Sequence, residues 1–115
     1  MAKKQRIPVT AGSGNVFADL GFEEPEEELA KARLASLIER AIKWRELSQT
    51  RAAEIMGIDQ PKVSALLNGR VDNFSSDRLM RLLTALGHDV QIVVRARRSQ
   101  GTRGHIEVLS EAVNR

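Results

Sequence analysis

The chain has 115 residues, no cysteine and a formal net charge of +3. That is the size of one domain with a real but modest core, and it leaves no disulfide framework or thiolate metal site. No apolar run approaches the ~20 residues of a membrane span and no apolar signal core follows the first residues, so a cytoplasmic protein is expected, with no membrane partner.

The charge is unevenly placed. Residues 1–15 carry Lys3, Lys4 and Arg6 and no acid, whereas residues 16–46 hold eight acids against five bases. Beyond Asp89 the balance turns basic again through Arg95, Arg97, Arg98 and Arg103. A polyanion partner is therefore permitted at the basic regions.

Residues 1–15 have no periodic apolar pattern, and residues 1–22 are expected to form an N-terminal arm outside the folded domain. Within that arm Val16, Phe17, Leu20 and Phe22 gather apolar side chains in a short leader. Such a leader either covers the protein's own core or binds a partner.

A long helix is expected from Pro25. Glu26, Glu27 and Glu28 occupy its first turn, where the helix dipole favours negative charge. Consecutive glutamates point in different directions and no histidine lies near them, so they read as a solvated face and no metal is expected. Leu34, Leu37, Ile38, Ala41 and Ile42 follow at the spacing of a core-facing stripe. Trp44, the single tryptophan, is expected to seal the core at the end of this helix.

Residues Ser48 to Gly69 spell out two short helices around a tight turn. Ser48 can cap the first, whose apolar face carries Ala52, Ala53 and Met56. Gly57 supplies a turn with positive φ, as a steep helix crossing requires, and Ala53 is small where the second helix crosses closest. Asp59 caps the second helix, Pro61 lies in its first turn, and Gly69 closes it. Val63 and Leu66 lie on its buried side. Gln60, Pro61, Lys62, Ser64, Ala65 and Asn68 fall off that stripe, and most are short or hydrogen-bonding side chains suited to base edges and phosphates. This is a helix-turn-helix, and double-stranded DNA is the expected partner.

Arg70 to Phe74 is a loop. Ser75 can cap a further helix, with Phe74 and Leu79 placed as a hydrophobic staple and Leu79, Leu82, Leu83 and Leu86 as its buried stripe before Gly87. The period then changes. Val90, Ile92 and Val94 alternate with Gln91, Val93 and Arg95, which predicts a strand. A second, weaker strand around Ile106 and Val108 would complete a C-terminal hairpin.

The expected organisation is an arm over 1–22, a helix-turn-helix domain with a C-terminal strand over 23–96, and a basic tail over 97–115 that holds the second strand if the hairpin forms. The fold class is mainly α, a helical bundle. Catalysis is not expected: His88 and His105 cannot be assembled with a nucleophile and an orienting group at defined spacing. Nor is a cofactor expected.

From Gly14 to Val94 the sequence resembles XRE-type helix-turn-helix proteins of the HigA-like antitoxin kind, with a λ-repressor-like bundle. The stretches that carry the resemblance are Gly14-Asn-Val-Phe-Ala-Asp-Leu-Gly21, Gly57-Ile-Asp-Gln-Pro-Lys-Val-Ser-Ala-Leu-Leu-Asn-Gly69, Phe74-Ser-Ser-Asp-Arg-Leu79 and Ala85-Leu-Gly-His-Asp-Val90. The resemblance implies about five helices with a C-terminal strand or hairpin. It also implies a homodimer that binds a roughly palindromic operator before its own genes and neutralises a RelE-like mRNA-cleaving toxin encoded beside it. A stand-alone XRE-type transcriptional regulator shares the same DNA motif.

Matched position by position, Gln49 falls where such proteins anchor the first motif helix to a phosphate. Gln60, Pro61 and Ala65 fall where base edges are read, and Lys62, Ser64, Asn68 and Arg70 where bases or phosphates are contacted. Ala65 departs from the polar residue often found there and can at most touch a thymine methyl, so Gln60 and Lys62 are left with most of the direct readout. The leader residues Val16, Phe17, Leu20 and Phe22 are the expected toxin contact, and Val90, Ile92 and Val94 the expected dimer contact.

Overall fold

The computed structural model describes residues 24–96 and 103–111. Four helices are found among these residues: α1 Glu24–Trp44, α2 Gln49–Met56, α3 Gln60–Leu67 and α4 Ser76–Ala85. The resemblance implied about five; the apolar leader lies outside the described residues. No described helix is long and apolar enough to cross a membrane.

Helix α1 is the spine, packing along α4 and touching α3, while α2 packs on α3 and α4. The expected stripe on α1 is the buried one: Leu34, Ile38, Ala41 and Ile42 are in the core and Leu37 packs against it. Ala30 and Ala35 are buried as well, which lets neighbouring elements approach the α1 backbone. Ala52, Ala53 and Met56 from α2, Val63 and Leu66 from α3, and Leu79, Leu82 and Leu83 from α4 complete the interior. Phe74 and Leu86 close it at the two ends of α4.

Trp44 corrects the expectation made of it: its surface is 58% exposed, and it does not seal the core. The helix supplies the reason. At 100° per residue, Trp44 is turned 200° from the buried Ile42, onto the outer face. At that end Arg45 Nη1 donates to the Leu86 carbonyl at 3.1 Å and ties the end of α1 to the end of α4.

The chain leaves α1 through an unusual turn. The N–H of Glu46 bonds to Lys43 O and that of Leu47 to Ile42 O, the paired bonds of a Schellman ending. Its left-handed position, commonly a glycine, is filled by Glu46 at φ 55°.

The C-terminal strand is absent among the described residues. Residues 86–96 carry no ladder, and none joins them to 103–111. Val90 packs against the core, but Ile92, Val93 and Val94 are all exposed. Among the described residues the second arm expected for the hairpin is engaged elsewhere. Residues 103–111 lie across the first half of α1, where the Ile106 N–H donates to the Glu26 carboxylate and Arg33 Nη1 donates to the Val108 carbonyl at 3.2 Å. Val108 packs against the core there. Alternation identified residues able to form a strand; among the described residues Val90–Val94 finds no partner to pair with.

Candidate nucleic-acid interface

Local chemistry fixes the two motif helices before any packing is considered. The Ser48 hydroxyl accepts from the Arg51 N–H at 3.0 Å and caps α2. Gly57 ends α2 at φ 71°, with its N–H on the Ala53 carbonyl at 2.8 Å. A side chain would meet nothing within 4 Å at Gly57, so glycine is required there by backbone conformation and not by crowding. Two residues later the Asp59 carboxylate accepts from the Lys62 N–H at 3.1 Å and starts α3 with Pro61 in its first turn.

The far end of α3 is a second Schellman ending. The Gly69 N–H bonds to Leu66 O at 3.0 Å and the Arg70 N–H to Ala65 O at 2.9 Å. Gly69 takes the left-handed position at φ 76°. Arg70 is thereby held by its own backbone at the end of the helix, with its side chain exposed.

Packing then orients α3. Val63 and Leu66 are almost wholly enclosed, at 0% and 2% exposure. With 100° between successive residues, Pro61 and Asn68 point directly away from that buried pair. Ser64 and Ala65 flank them, and Gln60 and Lys62 stand at the two edges of the outward face. The expected DNA residues of α3 therefore share one surface. Gln60, Pro61, Lys62 and Asn68 are exposed, and Ser64 and Ala65 are half-buried. Gln49, the first residue of α2, is half-buried.

Several of these side chains are already engaged within the protein. Asn68 Nδ2 donates to the Ser64 carbonyl at 3.0 Å, so its amide helps close α3. Lys62 Nζ lies 3.8 Å from an Asp59 carboxylate oxygen. The Thr50 hydroxyl donates to Gln60 Oε1 across 3.4 Å, a long bond that links α2 to the first residue of α3. Thr50 is not legible in the sequence, since nothing in the spacing shows that the second residue of α2 faces the first of α3. Asp59 reads there as a cap alone.

The remaining site expectations divide by location. Val16, Phe17, Leu20 and Phe22 lie outside the described residues. Of the residues expected at a dimer contact, Val90 is half-buried against the core, and Ile92 and Val94 are exposed. No group of three or more histidine or acidic side chains that could hold a metal is found among the described residues.

Comparison with known proteins agrees with this geometry. A helix-turn-helix domain family matches residues 16–95. No curated protein matches the chain. Among solved structures, a protein assigned to the XRE family of transcriptional regulators is 43% identical and superposes with a TM-score of 0.72, across 76% of this chain and 99% of that one. The capped helix pair, its outward polar face and these matches place the chain in the XRE family of helix-turn-helix DNA-binding transcriptional regulators.

Proposed function

We propose that the chain is an operator-binding repressor in which α3 lies in the major groove. The observation that carries this reading is the division of α3 itself. Its inner side is anchored by Val63 and Leu66, and its outer side presents Gln60, Pro61, Lys62, Ser64, Ala65 and Asn68. A rigidly held helix with short and hydrogen-bonding side chains outward fits the width of the groove. Gln49 and Arg70, at the two ends of the motif, are assigned to phosphates, with Lys62 contacting a phosphate or a base. Gln60 is the principal base-reading residue, since a glutamine amide can pair bidentately with adenine.

Gln60→Ala should cost about 1–3 kcal/mol on the operator and relax preference at one or two positions. Arg70→Ala should weaken operator and random DNA more evenly and flatten the salt dependence. If Gln60→Ala leaves operator preference intact in gel shifts at fixed salt, α3 is not the reading helix.

The working unit in this reading is a two-fold dimer on a roughly palindromic site. One motif covers only a few base pairs, and two copies about one helical turn apart give useful specificity. The exposed Ile92–Val94 run supports a contact between copies, because its backbone has no ladder partner among the described residues.

The finer role we propose is that of an antitoxin that represses its own operon and neutralises a RelE-like toxin from a neighbouring gene. It rests on the resemblance of the leader and on the leader's apolar residues Val16, Phe17, Leu20 and Phe22, which are too few to fold alone and suit a segment that orders on a partner. Deleting residues 1–22 should leave melting and operator shifts nearly unchanged while abolishing rescue of cells that express the neighbouring toxin. A truncation that still rescues fully, or that unfolds the domain, removes the leader from this role. If the full chain neutralises no neighbouring gene product, the protein is a stand-alone regulator working through the same α3 surface.

A further inference from the structure

The head of α3 carries a charge that its cap does not need. Ser48 and Ser75 cap α2 and α4 with neutral hydroxyls, each accepting one N–H at 3.0 Å. Asp59 does the same for α3 with one oxygen, at 3.1 Å from the Lys62 N–H. Its second oxygen lies 3.8 Å from Lys62 Nζ, and the carboxylate side chain is 62% exposed. It immediately precedes Gln60, the residue placed first on the outward face. A negative charge at this point is unfavourable towards any polyanion, and it also holds an ammonium that phosphates would otherwise attract.

We propose that the Asp59 carboxylate is a specificity-determining group that suppresses binding to DNA at large and is tolerated only where a cytosine amine lies opposite it. The inference rests on the reading that α3 occupies the major groove. On unselected DNA the carboxylate meets phosphate oxygens, the acceptor atoms of guanine and thymine, or an adenine amine flanked by the N7 acceptor of the same base, and its desolvation is not fully offset. Lys62 must also leave Asp59 to reach a phosphate, and that separation exposes the carboxylate further. At a site with cytosine beside the head of α3, the exocyclic amine donates to the free carboxylate oxygen. The cost is then removed, and Lys62 is released to its phosphate. Discrimination arises from an unpaired charge set against the wrong sequences, more than from added attraction to the right one.

The test compares the full-length chain with Asp59→Asn and Asp59→Ser, both of which retain an N-cap acceptor and should melt as the parent does. Each protein is titrated with a mixed-sequence duplex over a range of salt, and each selects sites from a randomised duplex library. Both variants should bind the mixed-sequence duplex about three- to tenfold more tightly. The slope of log affinity against log salt should steepen by about 0.9 per protomer, as one freed lysine displaces one more counterion. The cytosine enriched by the parent at one position per half-site should be lost. Variants that match the parent in mixed-sequence affinity and slope overturn the proposal, as do variants that keep the parent's enriched cytosine. Gln60→Ala run in the same selection separates the two readings. If it alters the enriched site while the Asp59 variants do not, the role given to Asp59 fails and the placement of α3 stands; if none alters it, both fail.

Discussion

Two regions of this molecule carry a clear apolar period, and they end up in different physical situations. In the α2–α3 pair every period residue has both a local reason and a tertiary partner. Ser48 and Asp59 start the helices and Gly57 turns the chain, and Ala52, Ala53, Met56, Val63 and Leu66 then meet one another and α1 and α4 in the core. In the Val90–Val94 run the alternation is equally regular, but Ile92, Val93 and Val94 face solvent. The difference lies in where hydrogen bonds are completed. A helix satisfies its own backbone, so burial of one face is enough to hold it. A strand needs a second strand, and here the candidate, residues 103–111, is bonded to Glu26 and Arg33 of α1 instead.

This contrast can be broken at its strongest point first. Leu66→Ala removes an almost fully enclosed side chain that anchors α3. It should cost about 2–5 kcal/mol, read as a lowered urea midpoint, with operator binding lost in proportion to unfolding. A loss below that range would show that α3 is held mainly by its caps and not by its buried side.

The turns give a smaller and more pointed test, because two left-handed positions are occupied by different residues. Gly57→Ala introduces no collision, since nothing lies within 4 Å of the added Cβ. It should still destabilise by about 1–2 kcal/mol, because a side chain at φ 71° strains the backbone. Glu46→Gly should act in the opposite direction. Glu46 already bears this strain at φ 55°, and its relief, less the extra freedom glycine has when unfolded, should stabilise by up to ~1 kcal/mol. Thermal melts of the two variants should move to opposite sides of the parent, and a common direction would refute the account of both turns.

The smallest effect on folding is expected in the second region. Ile92 is 76% exposed, so Ile92→Lys should change the stability of the folded domain by no more than about 0.5 kcal/mol. Its effect should fall on assembly, with a shift towards monomer in sedimentation and a sharp loss of operator affinity. A variant that sediments as the parent does would remove Ile92 from the proposed contact between copies. One that unfolds would mean that the run is buried after all.

Much of the molecule was legible because helical signals are local. Caps, a turn glycine and an apolar stripe lie within a few residues of the groups they satisfy, so Ser48, Gly57, Asp59, Ser75 and the buried faces of all four helices could be read directly from the chain. The outward face of α3 followed from the same period, as the residues left over once Val63 and Leu66 were assigned to the core. Other features needed the folded chain. That Arg45 reaches Leu86, that Thr50 meets Gln60, and that residues 103–111 lie on α1 and not beside Val90–Val94 are all set by how helices cross. Those contacts join residues between 10 and 80 positions apart, and no local period or cap reports on them. Short-range hydrogen bonding and periodicity thus determined which segments became helices and which sides they buried. The choice of neighbours was left to packing, because only the assembled core decides which surfaces come within reach of one another.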